Sequence, residues 1–210
     1  MSAHDGVPSS PDGDDPSFVA MALPDLLEAF SSPGPAPGGG SAVALALGLA
    51  ASLGAMAARL SQHQCDRAAD IERECVARRD EMLSLCDADA RAYGAVIGAR
   101  RRVRSTTGTE GGSEAEVDAA LSAAADIPMA MAEGGARLAQ LAAVLAEEGN
   151  PALRGDAVTA GLLAAAGTES AAVLVRINLA AHSDDDRTRR ADALADEARR
   201  AVAHLGSAPR

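Results

Sequence analysis

The sequence predicts an all-α fold, a single-domain bundle of about six to eight helices, on three observations. Hydrophobic residues make up 48% of the 210, yet Phe18, Phe30 and Tyr93 are the only aromatics and Trp is absent. The apolar surface is therefore mostly Ala, Leu and Val. Ala is depleted from strands, whereas helices lined with small residues can approach closely. Apolar residues recur at helical spacing over long stretches, with no alternating strand pattern and no internal repeat. Finally, Pro and Gly cluster at Pro35–Gly40 and again at Gly149-Asn150-Pro151, punctuating the chain into helix-length pieces.

The first residues, MSAHDGVPSSPDGDD, are polar, acidic and rich in Pro and Gly, with no apolar secretory core. Residues 1–20 read as a disordered acidic N-terminal tail, and residues 21–206 as the one helical domain. Leu23 to Phe30 is a short amphipathic helix with Pro24 tolerated in its first turn. The segment Pro35-Ala36-Pro37-Gly38-Gly39-Gly40-Ser41 then fixes the start of a second helix, Ser41 to Leu60, with Ser41 expected as its cap. Bare backbone N–H groups at that helix start make a site for an anion.

Ser41 to Ala58 carries no charge and is long enough to raise the question of a membrane span. Its Ala- and Gly-rich composition, and the absence of flanking aromatics, argue instead for a buried helix. Ala44, Gly48 and Ser52 form a small-residue seam suited to the centre of a bundle or a homodimer interface. No membrane partner is expected.

After the polar break Ser61-Gln62-His63-Gln64-Cys65, a long helix is expected from Asp66 to Arg100, with Ile71, Cys75, Arg78, Met82, Leu85, Ala92 and Val96 near one stripe. Ser105 to Ser113 is a loop by composition, and Ser113 with Glu116 has the capping-box pattern. Glu114 to Glu148 is helical, kinked or divided at Pro128. Gly149-Asn150-Pro151 stops it, and a further apolar helix spans Leu153 to Ala180. Ser183, followed by three Asp, is expected to cap a last helix reaching Leu205.

The formal charge is −11, and the basic residues are all Arg or His. Such an acidic surface argues against nucleic acid as a partner, because phosphates must be neutralised. The stretch Ala99–Arg104 (ARRRVR) is the one basic cluster. It is either a solvated helix end or a contact for an anionic substrate tail. Cys65, Cys75 and Cys86 form no CxxC pair, which points to a reducing, cytoplasmic setting and away from zinc. His63 sits in the polar break, and the remaining histidines are too scattered for a metal site.

Asp87 and Asp89 are the leading candidates for chemistry. Helical residues two apart point about 200° away from one another, so at most one of the pair faces a given groove. Asp89 shares a face with Tyr93 and lies nearly in line with Leu85 and Met82, on the apolar side. A carboxylate against an apolar wall has its pKa raised, as a general acid/base requires. Asp156 reads as a first-turn acid or a ligand group, while Arg176 and Asn178 interrupt an apolar helix and need partners. G-x-S-x-G, P-loop, dinucleotide and H-E-x-x-H motifs do not occur in the sequence.

Five ordered segments carry a resemblance: PAPGGGSAVALALGLAASLGAMAARLS, DADARAY, DAALSAAADIPMAMAE, GNPALRGD and VRINL. Together they resemble the formiminotetrahydrofolate cyclodeaminase and methenyltetrahydrofolate cyclohydrolase family. The resemblance implies an all-helical homodimer that holds a folate in a cleft near the subunit interface, with no metal or redox cofactor. It implies that Asp89 is the catalytic carboxylate, and that Gly38, Gly39, Gly40 and Ser41 build the folate pocket with Asp156 and Asn178. The implied reaction converts 5-formiminotetrahydrofolate to 5,10-methenyltetrahydrofolate and ammonia. The alternatives are the cyclohydrolase reaction, giving 10-formyltetrahydrofolate, and a non-catalytic folate-binding or other helical dimer. Departures from the family pattern fall at Gln64, where Lys is usual, at Leu174, where Asn is usual, at Gly155 and at Tyr93.

Overall fold

The computed structural model of the chain describes residues 17–104, 113–182 and 184–205. These contain seven α-helices: α1 (Leu23–Ser31), α2 (Gly39–Arg59), α3 (Ala68–Arg104), α4 (Glu114–Ala124), α5 (Asp126–Glu148), α6 (Arg154–Asn178) and α7 (Asp186–Val202). Short 3-10 turns precede α1 (Phe18–Ala20) and α6 (Pro151–Leu153). The all-α reading holds, and among the described residues there is no strand.

α2 is the centre of the bundle, packed against α3, α5 and α6, with α7 covering α5 and α6 and α4 lying on α3. The uncharged sequence of α2 lets several of its faces be buried at once. Leu47, fully buried, shows how closely the helices approach. A Cβ on Gly167 of α6 would lie 2.6 Å from its Cδ2, and one on Gly135 of α5 would lie 2.9 Å from the same atom. Glycine at both positions is what lets one Leu fill the junction of three helices.

A second, smaller cluster, including Met129, Val175 and Leu179, closes the end of the bundle where α5 begins and α6 finishes. Two helical stretches, Gly39–Arg59 and Pro151–Asn178, are long and apolar enough to cross a membrane; 61% of the first's apolar window and 44% of the second's are buried inside the protein. Leu49 and Met56 of α2, with Leu162 and Val173 of α6, remain exposed.

The ends of the elements refine the expectations. α2 begins at Gly39 with extended Gly38 (φ −126°, ψ −162°) as its cap, so Ser41 lies inside the first turn and is not the cap. Its hydroxyl is directed to α3 instead. The 114–148 segment divides at Ala125, leaving Pro128 in the first turn of α5, where its missing N–H breaks no helical bond. Ser113 caps α4 by accepting the Glu116 N–H (3.3 Å). Asp185 caps α7 by accepting the Arg187 N–H (2.9 Å), whereas the expected cap Ser183 lies outside the described residues. The expected loop before Ser113 and most of the expected tail are likewise outside them; Phe18–Ala20, from the end of that tail segment, forms a turn held on α3.

Candidate functional site

The α2 N-terminus and the middle of α3 line a cavity of about 590 Å³, with α4 and the end of α6 forming its other walls. The α2 hydrogen-bond ladder starts with the Ala42 N–H donating to the Gly38 carbonyl (3.0 Å). The Gly39, Gly40 and Ser41 amides are thus left without an acceptor inside the helix, at its positive end. Gly38, Gly39 and Gly40 line the cavity through backbone, and facing them is Asp89.

Asp89 is held from two directions. The buried Ser41 hydroxyl lies within hydrogen-bond reach of Asp89 Oδ2 (3.2 Å) and of the Cys86 carbonyl (3.0 Å), one turn back on α3. Gly40 presses against the same carboxyl group: a Cβ there would lie 2.6 Å from Oδ2 and closer still to Oδ1 and Cγ. Glycine at position 40 therefore leaves the carboxyl group its present place, which any Cβ there would force it to give up.

Burial raises the Asp89 pKa above the ordinary carboxylate value, and the Ser41 hydroxyl and backbone N–H pull it part of the way back. The result is a half-buried carboxyl in an apolar cavity, shifted toward the range where it can both take and return a proton. Beneath it, burial pushes the Cys86 thiol up to about 11, so that group stays neutral.

The two acids of the DADA segment are separated as helix geometry requires. Asp87 turns away from the cavity and accepts hydrogen bonds from the Ser17 hydroxyl (2.6 Å) and the Phe18 N–H (2.8 Å), anchoring the N-terminal turn. Tyr93, one turn beyond Asp89, is exposed and lines the cavity with Val96 and Arg100.

Of the other residues singled out by sequence, Asn178 lines the cavity from the last position of α6. Asp156 does not reach it: it stands in the first turn of the 25-residue α6, about 33 Å of helix rise from Asn178. Arg176 is spent on an ion pair with Asp192 of α7. The Gly149-Asn150 stop serves packing at that remote end, where the Asn150 N–H donates to buried Ser61 Oγ (2.9 Å). Gln64 lies at the same end, beyond α2.

Sequence reasoning did not single out Leu121 and Ala124 of α4, or Ile177 and Ala181 at the end of α6, which form the opposite wall. Leu121, Ala124 and Ile177 lie inside the segments DAALSAAADIPMAMAE and VRINL that carry the resemblance, but helical spacing among ordinary apolar residues gives the same signal for a core face and does not pick them out as a wall.

Three comparisons bear on this arrangement. The family model described as formiminotransferase-cyclodeaminase matches residues 22–197. A methenyltetrahydrofolate cyclohydrolase from Methylorubrum extorquens is 36% identical over 99 residues, which is 47% of this chain and 47% of that protein; the match thus spans about half of the relative's length. The crystal structure of a formiminotetrahydrofolate cyclodeaminase from Thermotoga maritima superposes with a TM-score of 0.77 at 24% identity, covering 89% of this chain and 96% of that one. That last likeness is one of fold.

Proposed function

The chain belongs to the formiminotransferase-cyclodeaminase family, and from that premise we propose that it acts on the N5–N10 one-carbon bridge of tetrahydrofolate. The leading reaction converts 5-formiminotetrahydrofolate to 5,10-methenyltetrahydrofolate and ammonia. The observation that carries this reading is Asp89, a carboxyl group whose pKa is raised by burial and which lines an apolar cavity, pinned between Ser41 and Gly40.

The chemistry follows from proton balance. The formimino group is amidine-like and cationic at neutral pH. N10 attacks its carbon, the C=N π pair moves onto nitrogen, and a tetrahedral centre bearing N5, N10–H⁺ and NH₂ forms. Asp89 takes the N10 proton and returns it to the NH₂ group, which leaves as ammonia while the lone pairs of N5 and N10 form the methenyl cation. One proton moves from one nitrogen to the other, so a single carboxyl suffices as base and then acid. The balance calls for no metal or redox cofactor. Gly38, Gly39 and Gly40 would bring backbone to the folate and Asn178 would offer its amide from the facing wall, while Ser41, fully buried and outside the cavity lining, would act through its hydrogen bonds to Asp89. We assign Asp156 no contact within the same protomer, given its place at the far end of α6.

Cyclohydrolase chemistry is the second reading, favoured by the name of the Methylorubrum relative. There Asp89 would take a proton from the water as its oxygen bonds to the methenyl carbon and pass it to N5 as the C–N5 bond breaks, leaving the formyl group on N10 and releasing the remaining hydroxyl proton to solvent. We further propose a homodimer formed on the exposed apolar faces of α2 and α6, around Leu49, Met56, Leu162 and Val173, and a cytoplasmic setting, supported by three buried free cysteines. Analytical ultracentrifugation at micromolar concentration checks the dimer. For the activity, purified protein is assayed by methenyltetrahydrofolate absorbance in both directions. Asp89→Asn should lower turnover by about 10²–10⁴-fold while still binding 5-formyltetrahydrofolate. Wild-type turnover by that variant would end the assignment.

A further inference from the structure

The cavity is chemically polarised along α3. Among its described lining residues two carry charge, Asp89 beneath the α2 N-terminus and Arg100 toward the C-terminal end of α3. Asp89, Tyr93, Val96 and Arg100 all line the cavity and follow one another at steps of four, three and four positions. That spacing puts them on one face of the helix, with Arg100 returning to within about 20° of Asp89 after three turns and about 16 Å of rise.

The helix dipole accounts for basic residues in the last turn, and α3 has three there: Arg101, Arg102 and Arg104. Arg100 is set apart from them because it lines the cavity. Arg102 sits 3.6 Å from Glu116, whereas Arg100 has no acidic partner among the described residues. In a chain with a formal charge of −11, a guanidinium that lines an apolar cavity and has no ion-pair partner among the described residues is a selective point of attraction for an anion.

We propose that Arg100 binds the carboxylates of the glutamate that ends a folate, and thereby selects substrates that carry it. This rests on the folate reading above and deepens it. From N10, a folate continues through a benzoyl ring and an amide to its glutamate carboxylates, a span on the order of 10 Å when built from ordinary bond lengths. Because helical side chains lean toward the N-terminus, an extended Arg100 can reach back along the groove toward Asp89, so the distance to be spanned is less than the roughly 16 Å rise. The reacting bridge at Asp89, the ring beside Tyr93 and Val96, and the carboxylates at Arg100 then follow in the order in which the substrate presents them. An Arg fork suits a carboxylate better than a point charge does.

The test compares dissociation constants for 5-formyltetrahydrofolate and for 5-formyltetrahydropteroate, which lacks the glutamate, in low salt. Wild type should bind the folate about tenfold more tightly than the pteroate, the size expected of a solvent-accessible charge-assisted contact. Arg100→Gln should weaken folate binding by about tenfold and pteroate binding by less than twofold, and Arg100→Lys should recover part of the difference. Far-ultraviolet circular dichroism checks that the variants fold. Folate binding unchanged in Arg100→Gln, or both ligands weakened equally, overturns the proposal. If wild type turns over 5-formiminotetrahydrofolate and Arg100→Gln binds like it, the tail contact alone is wrong. A wild type that neither binds these ligands nor turns over folate overturns the folate reading, and the tail contact with it.

Discussion

Replacing Gly40 by Ala separates the catalytic demand on this residue from its contribution to stability. The added Cβ would lie 2.6 Å from Asp89 Oδ2 and nearer to the other carboxyl atoms, where 3.4–4 Å is ordinary contact. The carboxyl group must therefore move by about 1 Å or more. It can do so cheaply, because it is the end of a side chain and borders open cavity. The move pulls Oδ2 out of reach of the Ser41 hydroxyl, now at 3.2 Å. On the stability side, Ala is favoured over Gly within a helix by about 1 kcal/mol, against an overpacking cost of about 1–3 kcal/mol, so the net change in folding free energy should stay within about 2 kcal/mol. On the activity side, a displacement of about 1 Å at the reacting group costs on the order of 10²-fold in turnover. Gly40→Ala should thus unfold near the wild-type urea midpoint yet run about a hundredfold slower in the methenyl absorbance assay. Turnover within threefold of wild type would refute the positioning argument. A protein too unstable to purify would refute the claim that Asp89 can yield.

Three further outcomes follow from the same contacts. Ser41→Ala removes a hydrogen bond that favours ionised Asp89, so the acidic limb of the kcat/KM–pH profile should move upward relative to wild type; a limb that stays put or moves down contradicts the pairing. Because burial raises the Asp89 pKa in the folded state, folding favours its neutral form; that stability is complete below the ordinary carboxylate value and is lost as pH rises through the raised one. Asp89→Asn should therefore have the higher Tm at pH 7, with the gap closing as pH falls toward about 4, and a lower Tm at pH 7 would contradict the sign. At the helix junction, Leu47→Ala should cost about 3–5 kcal/mol and Gly167→Ala about 1–3 kcal/mol in urea unfolding, but the double variant less than their sum, since the Cβ added at position 167 enters the space that Leu47 vacates. Strict additivity would show that the two do not share a site.

How far the fold was legible depends on which physical signals are local. Helix content follows from composition and spacing, and α2 as a buried core helix follows from its lack of charge. Helix ends were less legible because several side chains suited to capping compete. Ser41 has good capping chemistry, but Gly38 adopts the extended backbone without a side chain, and the hydroxyl is worth more against α3, where the Cys86 carbonyl and Asp89 face it. Pro128 shows the same limit. It announces a break without placing it, since a proline is tolerated anywhere in a first turn and the chain could yield on either side.

For the site, the legible part is what one helix decides by itself. The 100° step between residues separates Asp87 from Asp89 and puts Tyr93 beside the latter, whatever surrounds the helix. What one helix cannot decide is which distant segment it meets. The glycines at 38–40 read locally as a helix start with free N–H groups; their approach to Asp89 is a relation between α2 and α3, and only Gly40 is fixed by it, since nothing lies within 4 Å of a Cβ built on Gly38 or Gly39. The same reasoning divides the motif residues. Asp156 and Asn178 belong to one helix and to similar-looking polar interruptions, yet a 25-residue helix carries them to opposite ends of the bundle. A motif thus marks where the chain is constrained without saying whether the constraint is chemistry or packing. The Asn150 contact with Ser61 is packing, and the Gly40 contact with Asp89 positions the acid the proposed chemistry needs.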